Sequence, residues 1–137
     1  GMAQTQGTEF QVRLDLPDPM PLTDVELCTV LGNLLDNAVE ACSRQTKGKR
    51  RILVVGEIRG NMYFLKIENT YDGLILPEEK TFRSRKGTSA DHGIGLSSVR
   101  RILENHGGDL DLVPGEETFL VGITIECPFI SKSQRVI

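Results

Sequence analysis

The sequence predicts an α/β fold: a two-layer α/β sandwich with helices on one face of a mixed sheet and a long lid loop interrupting the chain. Three observations carry that prediction. Apolar residues alternate, then recur at helical spacing, and the cycle repeats, giving the order strand, helix, strand, strand, loop, helix, strand, strand. Two strand–strand connections are too short for anything but antiparallel hairpins. Both helical stretches are apolar along one stripe only, so each needs a sheet face to cover. At 137 residues and roughly 150 per domain, the chain makes one domain. A domain of this size can build a core without a disulfide or metal staple.

The elements follow in order. Residues 1–7 are polar and expected to fray, with Gly1-Met2 reading as a tag scar on a piece of a longer protein. Phe10, Val12, Leu14 and Leu16 alternate with Gln11, Arg13 and Asp15, a half-buried strand that Pro17 and Pro19 are expected to stop. Thr23 and Glu26 have the spacing of a capping box, and Leu22 and Leu27 that of a hydrophobic staple. Leu27, Val30, Leu31, Leu34, Ala38, Ala41 and Cys42 then form one stripe at helical period. Arg44, Lys47, Lys49, Arg50 and Arg51 read as a basic, solvated loop.

Residues 52–58 and 62–68 are strand-like and flank Arg59-Gly60-Asn61, a hairpin. Residues 74–92 carry little apolar periodicity, and a stretch of that length inside a compact domain is usually functional, often a lid. Leu96, Val99, Ile102 and Leu103 mark a second helix, ended by Gly107-Gly108 as a left-handed cap. Residues 109–113, a Pro114-Gly115 turn and residues 118–127 form the last hairpin, with Phe119, Val121, Ile123 and Ile125 on one face. The folded domain is therefore expected over 8–130, with 131–137 as a tail.

Composition narrows the function. Sixteen Lys and Arg against nineteen Asp and Glu leave a net charge of −3, which excludes a generally basic nucleic-acid binder. Cys28, Cys42 and Cys127 form no CxxC pair and leave one odd, so they read as buried thiols of a reduced, cytoplasmic protein. No apolar run approaches the roughly 18–20 residues of a membrane span.

Four segments could carry chemistry. In LGNLLDNAVEAC, residues 31–42, the amides Asn33 and Asn37 share one flank of the helix. Advancing about 100° per residue puts Asn37 some 80° from the stripe's centre, at the border of core and solvent. Asparagine is a mediocre helix former, so two at i and i+4 ask for a reason. An amide oxygen is a hard, neutral ligand suited to magnesium, and a polar rim without a task is the alternative. In HGIGLSSV, residues 92–99, Gly93 and Gly95 permit tight backbone, and the helix opening near Leu96 offers unpaired N–H groups to an anion. The third segment is IENTYDG, residues 67–73, where Asn69 leaves a strand toward Gly73. The fourth is the loop, with Lys80, Arg83, Arg85 and Lys86 around Phe82, a run that is usually just a solvated loop yet could gather round a triphosphate.

In this order the segments closely resemble the ATP-binding domain of bacterial sensor histidine kinases, in the superfamily shared with gyrase, a heat-shock chaperone and mismatch-repair ATPases. NLLDNAVEA and HGIGLSSVRRILENHGG carry the resemblance, which covers about residues 8–130. Asn69 within NTYDG makes the chain look like the peptide-pheromone and dicarboxylate sensor kinases. The resemblance implies a Bergerat-type ATP-binding fold with ATP and Mg2+ as cofactors. Asn37 matches the magnesium-coordinating asparagine, and Asn33 its companion polar position one turn earlier. Asn69 stands where an aspartate usually contacts the adenine amino group. Gly73 closes the first glycine box, and Phe82 fits the lid phenylalanine. Gly93, Gly95 and Leu96 form the second glycine box near the phosphates, and Lys86 aligns as a lid cation.

The activity so implied is transfer of the ATP γ-phosphoryl group to a histidine on a separate helical domain, with Asn33 and Lys86 the candidate catalytic residues. Neither His92, in the glycine box, nor His106, beside Gly107-Gly108, resembles that substrate histidine. Implied partners are the phosphoacceptor helices of the same kinase, a response regulator and a second copy of a membrane-anchored full-length protein, with no nucleic acid and no membrane contact by this domain. The alternatives are a degenerate interaction domain, an ATP hydrolase and a serine kinase. Hydrolases of this superfamily use a glutamate at the Asn33 position as general base, and an amide there cannot take a proton.

Overall fold

A computed structural model describes residues 7–77, 79, 94–127 and 132–137. The elements are β1 (Thr8–Asp18), α1 (Asp24–Arg44), β2 (Arg50–Arg59), β3 (Met62–Thr70), α2 (Ile94–Glu104), β4 (Asp109–Pro114), β5 (Thr118–Glu126) and β6 (Lys132–Arg135). The six strands form one sheet in the order β4-β5-β3-β2-β1-β6. β1 and β2 run parallel, because α1 carries the chain back across the sheet between them, and every other pair is antiparallel. The sheet is therefore mixed, and the two described helices, α1 and α2, pack on one face of it.

The core follows from strand alternation. Ile52 and Val54 of β2, Tyr63, Leu65 and Ile67 of β3, and Phe119, Val121, Ile123 and Ile125 of β5 all point to the helix layer and are buried. α1 answers with Val30, Leu34, Ala38, Ala41 and Cys42, and α2 with Leu96, Val99 and Leu103. α1 begins where its capping box requires. The Glu26 amide donates to Thr23 Oγ1 at 3.1 Å, and the Thr23 amide donates back to Glu26 Oε1 at 2.9 Å. α2 ends in a Schellman arrangement, in which the Gly108 amide donates to Leu103 O at 2.7 Å and Gly107 holds φ at +66°.

Four expectations are revised. β1 does not stop at Pro17 but runs to Asp18, because past Leu14 its partner is β6, and an edge pairing tolerates the missing N–H. Residues 132–135, expected as tail, are that sixth strand; Leu14 further bonds Val136 and Ile137, and Arg135 pairs with Asp15. The basic loop is only partly solvated: Lys47 and Lys49 are exposed, but Arg50 donates to Gln45 O at 2.7 Å and Gln45 is buried. Cys42 and Cys127 are buried thiols, but Cys28 is exposed.

Candidate functional site

The middle of α1 places its two amides differently. Asn33 is half-buried, and its Nδ2 donates to Thr29 O one turn back at 2.8 Å, which turns Oδ1 outward from the helix. That oxygen meets the first turn of α2. A Cβ built on Gly95 would stand 2.9 Å from Asn33 Oδ1 and 3.4 Å from Cγ, so glycine is what lets the Asn33 amide lie in this place against α2. Asn37 lies one turn further along the same flank, half-buried as its angular position predicts. Its side-chain amide has no hydrogen-bond partner among the described residues. Leu96 is buried and anchors the start of α2 in the core beneath.

The far end of the site is the exit of β3. Asn69 sits in the sheet between Ile52 and Phe119 and is only 5% exposed, facing the helix layer. Its Nδ2 donates to Thr70 O at 3.0 Å, which leaves Oδ1 as an acceptor without a partner among the described residues. The chain then turns through Tyr71. The Tyr71 amide donates to Glu117 O at 3.1 Å, its hydroxyl donates to Gly115 O, and its ring meets Phe119 edge-on at 5.5 Å. Gly73, at φ +87°, therefore runs against the β4–β5 turn, where a Cβ would lie 3.7 Å from Glu116 O.

Comparison with known proteins fits this arrangement. Residues 22–126 match a family described as the GHKL domain. The chain belongs to that family. The sensor protein kinase CarS of Pseudomonas aeruginosa is 33% identical over 138 aligned positions, covering 94% of this chain and 28% of that protein. The sensor histidine kinase CitA of Klebsiella pneumoniae is 32% identical over 99 positions, covering 67% of this chain and 17% of that protein. The chain thus spans less than a third of either relative. Among solved structures, the catalytic domain of histidine kinase ThkA superposes with a TM-score of 0.66 at 20% identity, covering 92% of this chain and 82% of that one. The mycobacterial sensor histidine kinase MprB gives 0.63 at 20% identity, covering 98% and 89%. These likenesses show the fold.

Of the expected site residues, this GHKL domain brings Asn33 and Gly95 into contact, with Asn37 and Leu96 beside them on the same two helices. Asn69 and Gly73 lie at the end of the strand that α1 crosses. Phe82, Lys86 and Gly93, with Lys80, Arg83, Arg85 and His92, lie outside the described residues. Among the described residues, no group of three or more His, Cys, Asp or Glu could hold a metal, and no helix is long and apolar enough to cross a membrane.

Sequence reasoning missed the bracing of this site. Cys42 Sγ approaches Thr70 O at 3.6 Å and Thr70 Oγ1 at 3.7 Å, which seats the last turns of α1 over the β3 exit. Thr70 Oγ1 also accepts from the Arg51 amide at 3.0 Å. Glu26, considered above only as a cap, forms a two-pronged contact with His106 at 3.0 and 3.1 Å. Its carboxyl is held below the usual range, first by the Thr23 amide and then by His106. No local spacing signals these pairs, since the partners are 28 and 80 residues apart.

Proposed function

We propose that this domain binds ATP with Mg2+ between α1, the start of α2 and the β3 exit. It then presents the γ-phosphoryl group to a histidine on a separate helical domain, as the catalytic part of a two-component sensor histidine kinase. The observation that carries the reading is the Asn33–Gly95 contact. It sets the Asn33 amide of α1 against the first turn of α2, with Asn37 one turn further along α1, and the N-terminal end of a helix dipole favours an anion.

The residues present fit the cofactors. Asn37 offers an amide oxygen, unpaired among the described residues, as a neutral ligand to Mg2+, with the remaining positions left to phosphate oxygens and water. Bound there, the ion would neutralise charge on the polyphosphate. Asn69 supports adenine recognition despite replacing an aspartate. Its Nδ2 is engaged by Thr70 O, so Oδ1 is the atom left to accept from an adenine amino group. Asn33 orients without acting as a base, because an amide takes no proton at neutral pH. Transfer to a positioned imidazole is therefore favoured over activation of water. Lys86 and Phe82 remain the proposed lid residues, and Gly73 and Gly93 the backbone positions that let nucleotide approach.

The proposed setting is a cytoplasmic domain of a homodimeric, membrane-anchored sensor that passes phosphate to a response regulator. Calorimetry with a non-hydrolysable ATP analogue, followed by transfer from labelled ATP to a supplied phosphoacceptor domain, tests the reading. Magnesium-dependent heat and label on a histidine are expected. Labelled inorganic phosphate as the only product would favour a hydrolase, and no heat at millimolar nucleotide a degenerate domain.

A further inference from the structure

Of the two helices that carry the proposed nucleotide site, α2 touches α1 at both of its own ends, and only one of those contacts involves site residues. α1 and α2 lie side by side and antiparallel. At one end Gly95 meets Asn33. At the other, His106 Nε2 lies 3.0 Å from Glu26 Oε1 and 3.1 Å from Glu26 Oε2, with both side chains about three-quarters buried. A carboxylate can only accept, so the ring donates through Nε2.

Both partners are held by backbone capping. Glu26 is the third residue of α1, and its Oε1 already accepts from the Thr23 amide. His106 follows the last turn of α2, its own amide donating to Leu103 O at 2.9 Å. Gly107 in the left-handed region and the Gly108–Leu103 bond hold it there. A glutamate already pinned by the Thr23 amide and a histidine on a fixed cap make a stiffer link than a surface pair of free, flexible side chains. A helix pivoting on the Gly95–Asn33 contact would have to break it.

We propose that the Glu26–His106 contact is a positioning clasp for the nucleotide site: it fixes the angle between α1 and α2, and so the placement of Asn33 against the start of α2 and of Asn37 one turn further along α1. His106 acts through the helices and touches no ligand. The inference rests on the nucleotide-binding reading above.

The test separates the two. Wild-type protein, His106→Ala, His106→Gln and Glu26→Gln are titrated with a magnesium-loaded non-hydrolysable ATP analogue, and the thermal midpoint of each is recorded without nucleotide. His106→Ala breaks the clasp but spares the cap, and should raise Kd at least about fivefold, the low end of ordinary coupling between sites. His106→Gln, which can still donate to Glu26, should stay within about twofold of wild type. Glu26→Gln, which keeps an acceptor without its charge, should fall between. Amide exchange over residues 30–40 should quicken in His106→Ala at a temperature where it is fully folded. Wild type without nucleotide binding overturns the nucleotide reading and the clasp with it. Wild type that binds while His106→Ala matches its Kd, whatever the midpoint does, overturns the clasp alone. Equal weakening in His106→Ala and His106→Gln contradicts the donor role, and if His106→Ala does not fold, the order of Glu26→Gln and His106→Gln decides.

Discussion

Gly95→Ala separates stability from function at one atom. The added methyl would sit 2.9 Å from Asn33 Oδ1, 3.4 Å from Cγ and 3.5 Å from Cβ. The first distance is too short to persist, so the Asn33 amide must swing away or the helices part. If the amide swings, it gives up its 2.8 Å bond to Thr29 O, a net loss of about 1 kcal/mol for a half-buried hydrogen bond. If the helices part, the strain of overpacking costs about 1–3 kcal/mol. Against either stands the better helix propensity of alanine, up to about 1 kcal/mol. The easier route is the swing, so stability should change by less than about 1 kcal/mol, a few degrees in Tm for a domain of this size.

The site fares worse, because the swing carries an amide out of its place against α2. Nucleotide affinity should fall about tenfold, equivalent to about 1.4 kcal/mol. Thermal unfolding and calorimetry on the same preparation measure both quantities. A variant with wild-type affinity would refute the claim that the Asn33–Gly95 contact shapes the site. A loss of several kcal/mol in stability would show instead that Asn33 is too tightly packed to move.

Asn37→Ala should leave stability within about 1 kcal/mol, since the side chain is half-buried and unpaired among the described residues, while abolishing the magnesium dependence of nucleotide binding. An unchanged transfer rate to a supplied acceptor domain would count against Asn37 as the ligand. Leu103→Ala removes a fully buried side chain and should cost about 3–4 kcal/mol in urea unfolding; less than about 1 kcal/mol would mean that α2 packs more loosely than described. The Glu26 carboxyl titrates below its ordinary value of 4.5 when folded. Its contribution to stability is therefore complete above about pH 4.5 and lost as pH falls through the lower folded value. Glu26→Gln should flatten the pH dependence of Tm in that acid window.

Much of the architecture was legible because it is local. The capping box at Thr23 and Glu26, the stripe from Leu27 to Cys42, the Gly107-Gly108 stop and both hairpins are short-range patterns with one physical solution each, and the sheet and helices follow them. β6 was not legible: Lys132–Arg135 has no apolar alternation and is a strand only because β1 offers an open edge. Pro17 misled for the same reason, since its missing N–H matters only beside a partner that needs it. At the site, the i to i+4 spacing of Asn33 and Asn37 placed both amides on one flank. Nothing in that spacing could show that Gly95 would press on Asn33, or that Glu26 would reach His106. Those contacts depend on how two helices cross, which local sequence does not encode.

The most direct test of the central claim is nuclear magnetic resonance of the side-chain amides, with the non-hydrolysable ATP analogue titrated in the presence and absence of magnesium. The account predicts saturable shifts at Asn33, Asn37 and Asn69 together with the Gly95 backbone amide, the Asn37 shift appearing only with magnesium. Shifts that leave these four unmoved and gather instead on the sheet face opposite α1 and α2, around Phe64, Lys66 and Gly122, would contradict it.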